Sequence, residues 1–237
     1  MTSRGAFTLP ARPDSYPVRL AETALVVVDM QNGYCSKGGY FDLAGFEPDG
    51  TVIDAVSQAV DMARGVDIPV VWLQNGWDKE LIEGGGLYSP NRIKGNALRL
   101  MREKPELRGK LLTKGGWDYA LVDELKPNEG EYVVAKPRYS GFAGTNLDLH
   151  LRGLGVRALL ICGVATNVCV ESTIRDAFFL EYHPVMIADA CRPAGPDFLQ
   201  EATIYNVERF FGWTTSLAEL KQAFHRRATH DCATRNS

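Results

Sequence analysis

Short, nearly continuous apolar segments alternate along the chain with longer segments whose apolar residues recur at helical spacing. Five apolar segments have the length and the β-branched content of strands that are covered on both faces of a sheet. These predicted strands span residues 23–29, 68–74, 131–136, 156–163 and 182–189. Helices are predicted at 51–65, 145–155, 167–181 and 196–212, and the first, second and fourth of them end at a glycine.

This order of elements predicts an α/β fold, a three-layer αβα sandwich with a six-stranded, mostly parallel doubly wound sheet. The sixth strand is predicted near "GWTTS", and a last helix runs from Leu217 to Arg227. We expect one domain over residues 22–227. It follows an N-terminal arm, residues 1–21, which could also be disordered, and precedes a flexible tail, residues 228–237.

Composition and charge narrow the class of partner. The chain has 237 residues, of which 45% are hydrophobic, so it can bury one large core. Its formal net charge of −3 offers no basic field for a polyanion, which predicts no nucleic-acid partner and no membrane partner. No apolar segment approaches the ~20 residues that span a bilayer, and the N-terminus lacks the apolar core of a signal peptide. We therefore expect a cytoplasmic protein that acts on a small molecule.

Cofactor chemistry finds little support in the sequence. The five cysteines are scattered and include no CxxC pair, which argues against a disulfide framework and a zinc cage. Histidines and carboxylates do not cluster at the spacing of metal ligands. The turn after the first strand reads "DMQNGYC" instead of the G-x-G-x-x-G of a dinucleotide-binding fold. We expect neither a metal nor an organic cofactor.

Three polar residues stand at the carboxyl ends of predicted strands, where open parallel sheets bind ligands. Asp29 follows the first strand in "VVVDMQN", Lys136 ends the third in "VVAKPRYSGF", and Cys169 follows the fourth in "GVATNVCVEST". A helix dipole and a neighbouring ammonium favour a thiolate, and a nearby carboxylate can carry the proton. Each residue also has a purely structural interpretation, as a turn-capping aspartate, a snorkelling lysine and an inert buried cysteine.

Alternative catalytic sets are not supported. None of the four histidines maps to this edge of the predicted sheet, and the chain contains no G-x-S-x-G nucleophile elbow. A cysteine hydrolase that uses a lysine and an aspartate remains. These three residues and the segment around Cys169 resemble the catalytic triad of the isochorismatase-like cysteine hydrolases. The resemblance covers about residues 22–222.

Within that superfamily, segments such as "LQNGWD" and "KPRYSGF" are most similar to the ureidoacrylate amidohydrolases of bacterial pyrimidine degradation. The resemblance implies that a small ureido compound is cleaved at a C–N bond through a cysteine thioester, which releases carbamate and then ammonia. Triuret and biuret hydrolases are the alternative within the same chemistry. A superfamily member that only binds its ligand is the alternative outside it. The resemblance also implies a homodimer or a homotetramer.

The resemblance further implies a cis peptide between Val164 and Ala165 and an oxyanion hole formed by the amides of Ala165 and Cys169. We predict that the substrate is bound by residues near the same sheet edge. Two of them, Glu83 and Ser89, belong to a glycine-rich segment that is interpreted as a lid, with a simple surface loop as the alternative. The predicted set is Asn75, Trp77, Tyr34, Tyr139, Glu83 and Ser89. A turn-forming asparagine and core aromatic residues are the alternative explanation. Arg92 and Arg138 are the cations available for a substrate carboxylate, and Ala143 and Gly144 depart from the family pattern beside the predicted pocket.

Overall fold

A computed structural model describes the backbone of residues 6–235 and the side chains of residues 6–226. The strands are β1 (Ala6–Leu9), β2 (Tyr16–Arg19), β3 (Thr23–Val28), β4 (Val70–Asn75), β5 (Tyr132–Lys136), β6 (Ala158–Val164), β7 (His183–Arg192) and β8 (Trp213–Thr215). The helices are α1 (Asn32–Cys35), α2 (Tyr40–Leu43), α3 (Thr51–Arg64), α4 (Pro90–Lys94), α5 (Asn96–Glu103), α6 (Leu147–Gly153), α7 (Glu171–Phe179), α8 (Phe198–Asn206) and α9 (Leu217–Arg235).

Six strands form one parallel sheet in the order β5-β4-β3-β6-β7-β8. The chain builds outward from β3 in one direction with β4 and β5, and then returns to the other side of β3 with β6, β7 and β8. The predicted α/β sandwich with a doubly wound sheet is therefore confirmed. The reversal of strand order between β3 and β6 opens a crevice at their carboxyl ends, where ligands bind in this class of fold.

The central strands are apolar along their whole length because both faces of the sheet are covered. Every residue of β3 and every residue of β6 is buried. Helix α3 contacts β3, β4, β6 and β7, and it buries a stripe of small residues at helical spacing. The six strands of this sheet and helices α3, α6, α7, α8 and α9 lie close to the predicted segments.

Both terminal regions contain secondary structure within the described residues. Strands β1 and β2 form an antiparallel hairpin, and Leu9, Tyr16 and Val18 are buried. Arg12 forms an antiparallel bridge with Thr214 of β8, so the described part of the predicted arm packs on the domain. Helix α9 continues to Arg235, past its predicted end at Arg227. The predicted flexible tail overlaps this helix, and its side chains lie outside the described residues.

Several short elements have no counterpart in the predicted pattern. Helices α1, α2 and α4 have only four or five residues, which is too short for a clear apolar stripe, and the eight-residue α5 was also not predicted. The predicted helix 167–181 begins with a π-helical turn, Thr166–Val170, that continues into α7. A similar turn, Val207–Phe211, ends α8. Among the helices of the described chain, none has the length and apolar character needed to cross a membrane.

Candidate active site

The ends of three strands bring the predicted triad together. Asp29 directly follows β3, Lys136 is the last residue of β5, and Cys169 lies in the π-helical turn that follows β6. Because β4 lies between β3 and β5, the Lys136 side chain reaches across the end of β4 to Asp29. Its Nζ atom lies 2.7 Å from Asp29 Oδ2, and both side chains are fully buried. A buried cation and a buried carboxylate are thus paired beside a buried thiol.

Lys136 is held by more than this ion pair. Its ammonium group also donates hydrogen bonds to the backbone carbonyls of Arg138, at 3.1 Å, and Tyr139, at 2.9 Å. The ammonium thus contacts a carboxylate and two carbonyls, and it also interacts with the Cys169 thiol. The snorkelling interpretation of Lys136 is excluded because its head group points into the core instead of reaching water.

The thiol of Cys169 interacts with both charged partners. Burial raises its pKa above the ordinary value, Lys136 lowers it in part, and Asp29 raises it further. Lys136 therefore acts on the thiol in the predicted direction, while burial opposes it and leaves the net pKa raised, so Asp29 is needed to accept the proton when the sulfur attacks. Burial likewise raises the pKa of Asp29, although Lys136 opposes that shift. A carboxylate with a raised pKa is a better acceptor for the thiol proton.

Lys136 keeps its proton in this environment. Burial lowers the pKa of its ammonium, but the attraction of Asp29 and Cys169 outweighs burial, and the net pKa is raised. Three tyrosines, Tyr34, Tyr40 and Tyr139, complete the titratable groups around the thiol, and burial raises the pKa of each. Their phenols therefore stay neutral, and Lys136 supplies the positive charge beside the sulfur.

The backbone around Cys169 has two unusual features. The peptide between Val164 and Ala165 is cis, as the resemblance implied. Gly163, just before it, has a φ of +115°, and a Cβ atom there would lie 2.2 Å from the carbonyl oxygen of Val28. Only glycine fits where β6 approaches β3 so closely. Asp29 also has a left-handed backbone, with a φ of +52°, which aspartate tolerates better than most residues.

A cavity of about 270 Å³ opens beside Cys169. Four of the six predicted substrate-binding residues line it: Tyr34, Asn75, Trp77 and Tyr139. Aromatic residues near α1 and α2 that the sequence did not single out, Tyr40, Phe41 and Phe46, extend its wall, and Asn96 and Asn167 contribute polar groups. The aromatic rings of Tyr34, Tyr40 and Phe41 contact one another edge to face or tilted. The cavity is therefore mostly apolar, with its nucleophile at one wall.

The side-chain amide and carbonyl of Asn75 are both hydrogen-bonded within the protein. Its side-chain amide donates to the carbonyls of Lys136, at 3.1 Å, and Arg138, at 3.2 Å, and its Oδ1 accepts from the Tyr34 hydroxyl at 2.7 Å. Both amide protons are used, so Asn75 braces the Lys136 segment instead of offering donors to a ligand. Gln31, which sequence reasoning missed, secures β4 in the same way, because its amide exchanges hydrogen bonds with the Asn75 backbone. Its position two residues after Asp29 was the available signal.

Glu83 and Ser89 are not among the described residues that line the cavity. The Glu83 carboxylate accepts from the Asp78 amide and pairs with Lys114 at 2.6 Å, so it stabilises its own loop. Ser89 precedes α4 and lies against Gly85. The two arginines are also elsewhere: Arg92 donates to the carbonyl of Gly85 and Arg138 to that of Glu83. Backbone carbonyls of the predicted lid therefore accept hydrogen bonds from both arginines, and neither cation reaches the cavity in this conformation.

The two residues that depart from the family pattern do not reshape this cavity. Ala143 and Gly144 belong to the turn before α6, and neither is part of the described cavity lining. A Cβ atom at Gly144 would approach only Pro137, at 3.8 Å. Within the described residues, no group of three or more His, Cys, Asp or Glu side chains is placed to hold a metal ion.

The family profile for the isochorismatase domain matches residues 23–219. The chain is 56% identical over 218 residues to the ureidoacrylate amidohydrolase RutB of Azorhizobium caulinodans, which covers 91% of this chain and 96% of that protein. It is also 56% identical to the ureidoacrylate amidohydrolase RutB of Klebsiella pneumoniae, with 91% of this chain and 92% of that one covered.

Solved structures show the same fold. A cysteine hydrolase from Pseudomonas syringae pv. phaseolicola superposes with a TM-score of 0.75 at 24% sequence identity, over 95% of this chain and all of that one. An isochorismatase family protein from Desulfovibrio vulgaris reaches a TM-score of 0.70 at 28% identity, over 85% of this chain and 97% of that one.

Proposed function

This chain belongs to the isochorismatase family and is an amidohydrolase of non-peptide C–N bonds, and from that premise we propose that Cys169 cleaves ureidoacrylate. The observation that carries the proposal is the buried pair of Asp29 and Lys136 beside a thiol at the wall of a small cavity. The relatives named for this substrate support it through 56% identity over nearly the whole chain.

The first half of the reaction forms a covalent bond to sulfur. Asp29 accepts the Cys169 proton as the sulfur attacks the ureido carbonyl, and Lys136 stabilises the negative charge that passes from sulfur to the carbonyl oxygen. The amides of Ala165 and Cys169 donate to that oxyanion. Asp29 then returns the proton to the leaving nitrogen, the C–N bond breaks, and aminoacrylate leaves. The carbamoyl group stays on sulfur as a thioester-level intermediate.

The second half regenerates the enzyme. Water replaces the departed amine, Asp29 takes one of its protons, and the resulting hydroxide attacks the carbamoyl carbon. The C–S bond breaks, the thiol recovers its proton, and carbamate is released. Carbamate decays to ammonia and carbon dioxide. Because Asp29 is the acceptor and the donor of the proton in both halves, no external acid or base is required.

The cavity suits a short planar substrate. Its aromatic walls can face a conjugated chain, and its volume of about 270 Å³ accommodates a molecule of this size. No Arg or Lys side chain is among the described residues that line it, so we propose that neutral donors such as Asn96 and Tyr40 receive the carboxylate. This replaces the arginine cradle that the sequence suggested.

The decisive experiment compares release of ammonia from ureidoacrylate, triuret, biuret and N-carbamoyl amino acids by the purified enzyme. Ureidoacrylate should give the highest kcat/KM. Cys169→Ala should give none, whereas Cys162→Ala, which changes a cysteine inside β6, should keep the activity. Preference for triuret or biuret would overturn the substrate assignment and keep the triad. Binding of ureidoacrylate without turnover would instead indicate a ligand-binding protein.

We also propose that the enzyme is a cytoplasmic homodimer or homotetramer. The observation in support is a surface of aromatic rings in mutual contact, at the end of α7 and in the turn after α8: Phe178, Phe179, Phe210 and Phe211. Phe179 is 66% exposed and Phe210 is 60% exposed in the single chain, and contact with a second copy would cover them. Light scattering should give a multiple of the 26.1 kDa chain mass, and Phe179→Glu should reduce it. A monomeric wild type would contradict this.

A further inference from the structure

We propose that Thr173 is a positioning residue, whose hydroxyl locks the backbone segment holding Lys136 to the turn that carries Cys169. This inference rests on the proposed function in that it takes Cys169 as the nucleophile. Thr173 lies in the first turn of α7 and is fully buried. The hydroxyl makes two hydrogen bonds, and they join segments that are distant in sequence.

The first bond is local. Thr173 Oγ1 lies 2.7 Å from the carbonyl oxygen of Cys169, one turn earlier in the helix. Such bonds from threonine to the residue four positions before it are common in helices and are by themselves only structural. The second bond is long-range, because the amide of Gly141 donates to the same Oγ1 at 3.0 Å. An amide can only donate and a carbonyl can only accept, so the hydroxyl proton must point to Cys169. Thr173 therefore connects the two groups in one fixed orientation.

Gly141 belongs to the segment that holds Lys136. The carbonyls of Arg138 and Tyr139, which both accept hydrogen bonds from the Lys136 ammonium, lie just before it. A Cβ atom at Gly141 would lie 2.5 Å from Leu73 and 3.4 Å from the Thr173 methyl, so the bare backbone packs directly on the core. On its other side, Thr145 donates to the Gly141 carbonyl at 2.6 Å. The Thr173 hydroxyl is thus hydrogen-bonded both to the segment whose carbonyls hold Lys136 and to the turn that carries Cys169.

Thr173→Val keeps the shape of the side chain and removes both hydrogen bonds. We expect kcat on ureidoacrylate to fall roughly 10- to 100-fold with KM within about threefold, because a small displacement of catalytic groups slows the chemical step more than binding. Labelling of Cys169 by iodoacetamide at neutral pH should also slow by roughly 3- to 10-fold, since a displaced Lys136 lowers the thiol pKa less. Thr173→Ser keeps the hydroxyl and should restore both properties.

Thr23 provides the matched control. It is a buried threonine at the opposite end of the sheet, and its hydroxyl also donates to a carbonyl four residues earlier, at 2.7 Å. Thr23→Val should lower Tm and leave kcat and the labelling rate unchanged. If Thr173→Val does not fold, Thr145→Val can replace it, because Thr145 holds the Gly141 segment and lies outside α7. We expect kcat and the labelling rate to decrease in this variant too, but by smaller factors.

The outcomes separate this inference from the proposed function. Labelling does not depend on the substrate. If the wild type is inactive on ureidoacrylate but Thr173→Val still slows labelling, the role of Thr173 is supported and the substrate assignment is wrong. Normal kcat and labelling in folded Thr173→Val, in an enzyme active on ureidoacrylate, would overturn the inference alone. An equal loss in Thr23→Val would reduce Thr173 to a structural role, and an unlabelled Cys169 in the wild type would remove the basis for both.

Discussion

Two buried cysteines, seven residues apart, differ only in what surrounds them. Cys162 lies inside β6 and Cys169 in the turn that follows the same strand. Burial raises the pKa of both thiols. Near Cys162 the other interacting group is Cys191, whereas Cys169 has Asp29, Lys136 and an open cavity. Burial therefore does not distinguish a reactive cysteine from an inert one, and the partners of the thiol do.

The largest expected effect on kcat comes from replacing Cys169 itself. Cys169→Ser should lower kcat by more than about 10³-fold, because the nucleophile of the proposed reaction is replaced by a much weaker one. Cys162→Ser should keep kcat within a fewfold and lower Tm, since it buries a hydroxyl in an apolar strand. Steady-state kinetics and thermal melts of the two variants measure this. Equal losses of kcat would mean that the two positions do not differ in function.

A smaller effect is expected when the cation is removed and the thiol is kept. Lys136→Met preserves length and removes the charge that stabilises both the thiolate and the oxyanion, so kcat should fall by about 10²-fold or more. It also leaves Asp29 buried without a counter-ion, which should lower Tm. An activity close to that of the wild type, in a variant that folds, would show that the ion pair only supports the fold.

The pH dependence of labelling sharpens the same contrast. Because the pKa of Cys169 is raised, its thiolate fraction is small at neutral pH, and labelling by iodoacetamide should accelerate as pH rises, without a plateau below its ordinary value of 9.0. In Lys136→Met the acceleration should move to still higher pH. Mass spectrometry should find the label on Cys169 and none on Cys162 in the folded protein. A plateau at neutral pH would show a stabilised thiolate and contradict the burial argument.

The smallest effect is expected beside the site. Ala143→Phe adds a large side chain at a position outside the cavity lining, so KM for ureidoacrylate should change by less than about twofold. Substrate saturation curves decide this. A severalfold increase in KM would place this turn over the bound substrate, in a conformation that differs from the one described.

Most of the fold and the triad could be predicted from the sequence, for local reasons. Most strands stand out as apolar segments, and helices α3, α6, α7, α8 and α9 stand out by the helical spacing of their apolar residues. Asp29, Lys136 and Cys169 stand where strands end. The short helices α1 and α2 could not be predicted, because four residues form a single turn that tertiary contacts stabilise. The aromatic wall that they contribute to the cavity was missed for the same reason.

The sequence was therefore sufficient to predict which segments form the strands, that the chain buries one large core, and which chemical groups stand at the carboxyl ends of the strands. The folded structure was needed to show that β4 lies between the strand that Asp29 follows and the strand that ends at Lys136, and that Asn75 braces the Lys136 segment. It also showed that burial raises the pKa of the Cys169 thiol against the effect of Lys136, because desolvation depends on everything that packs around an atom. Local patterns report what a residue prefers, whereas strand order, hydrogen-bond partners and burial arise from contacts between segments that lie far apart in the chain.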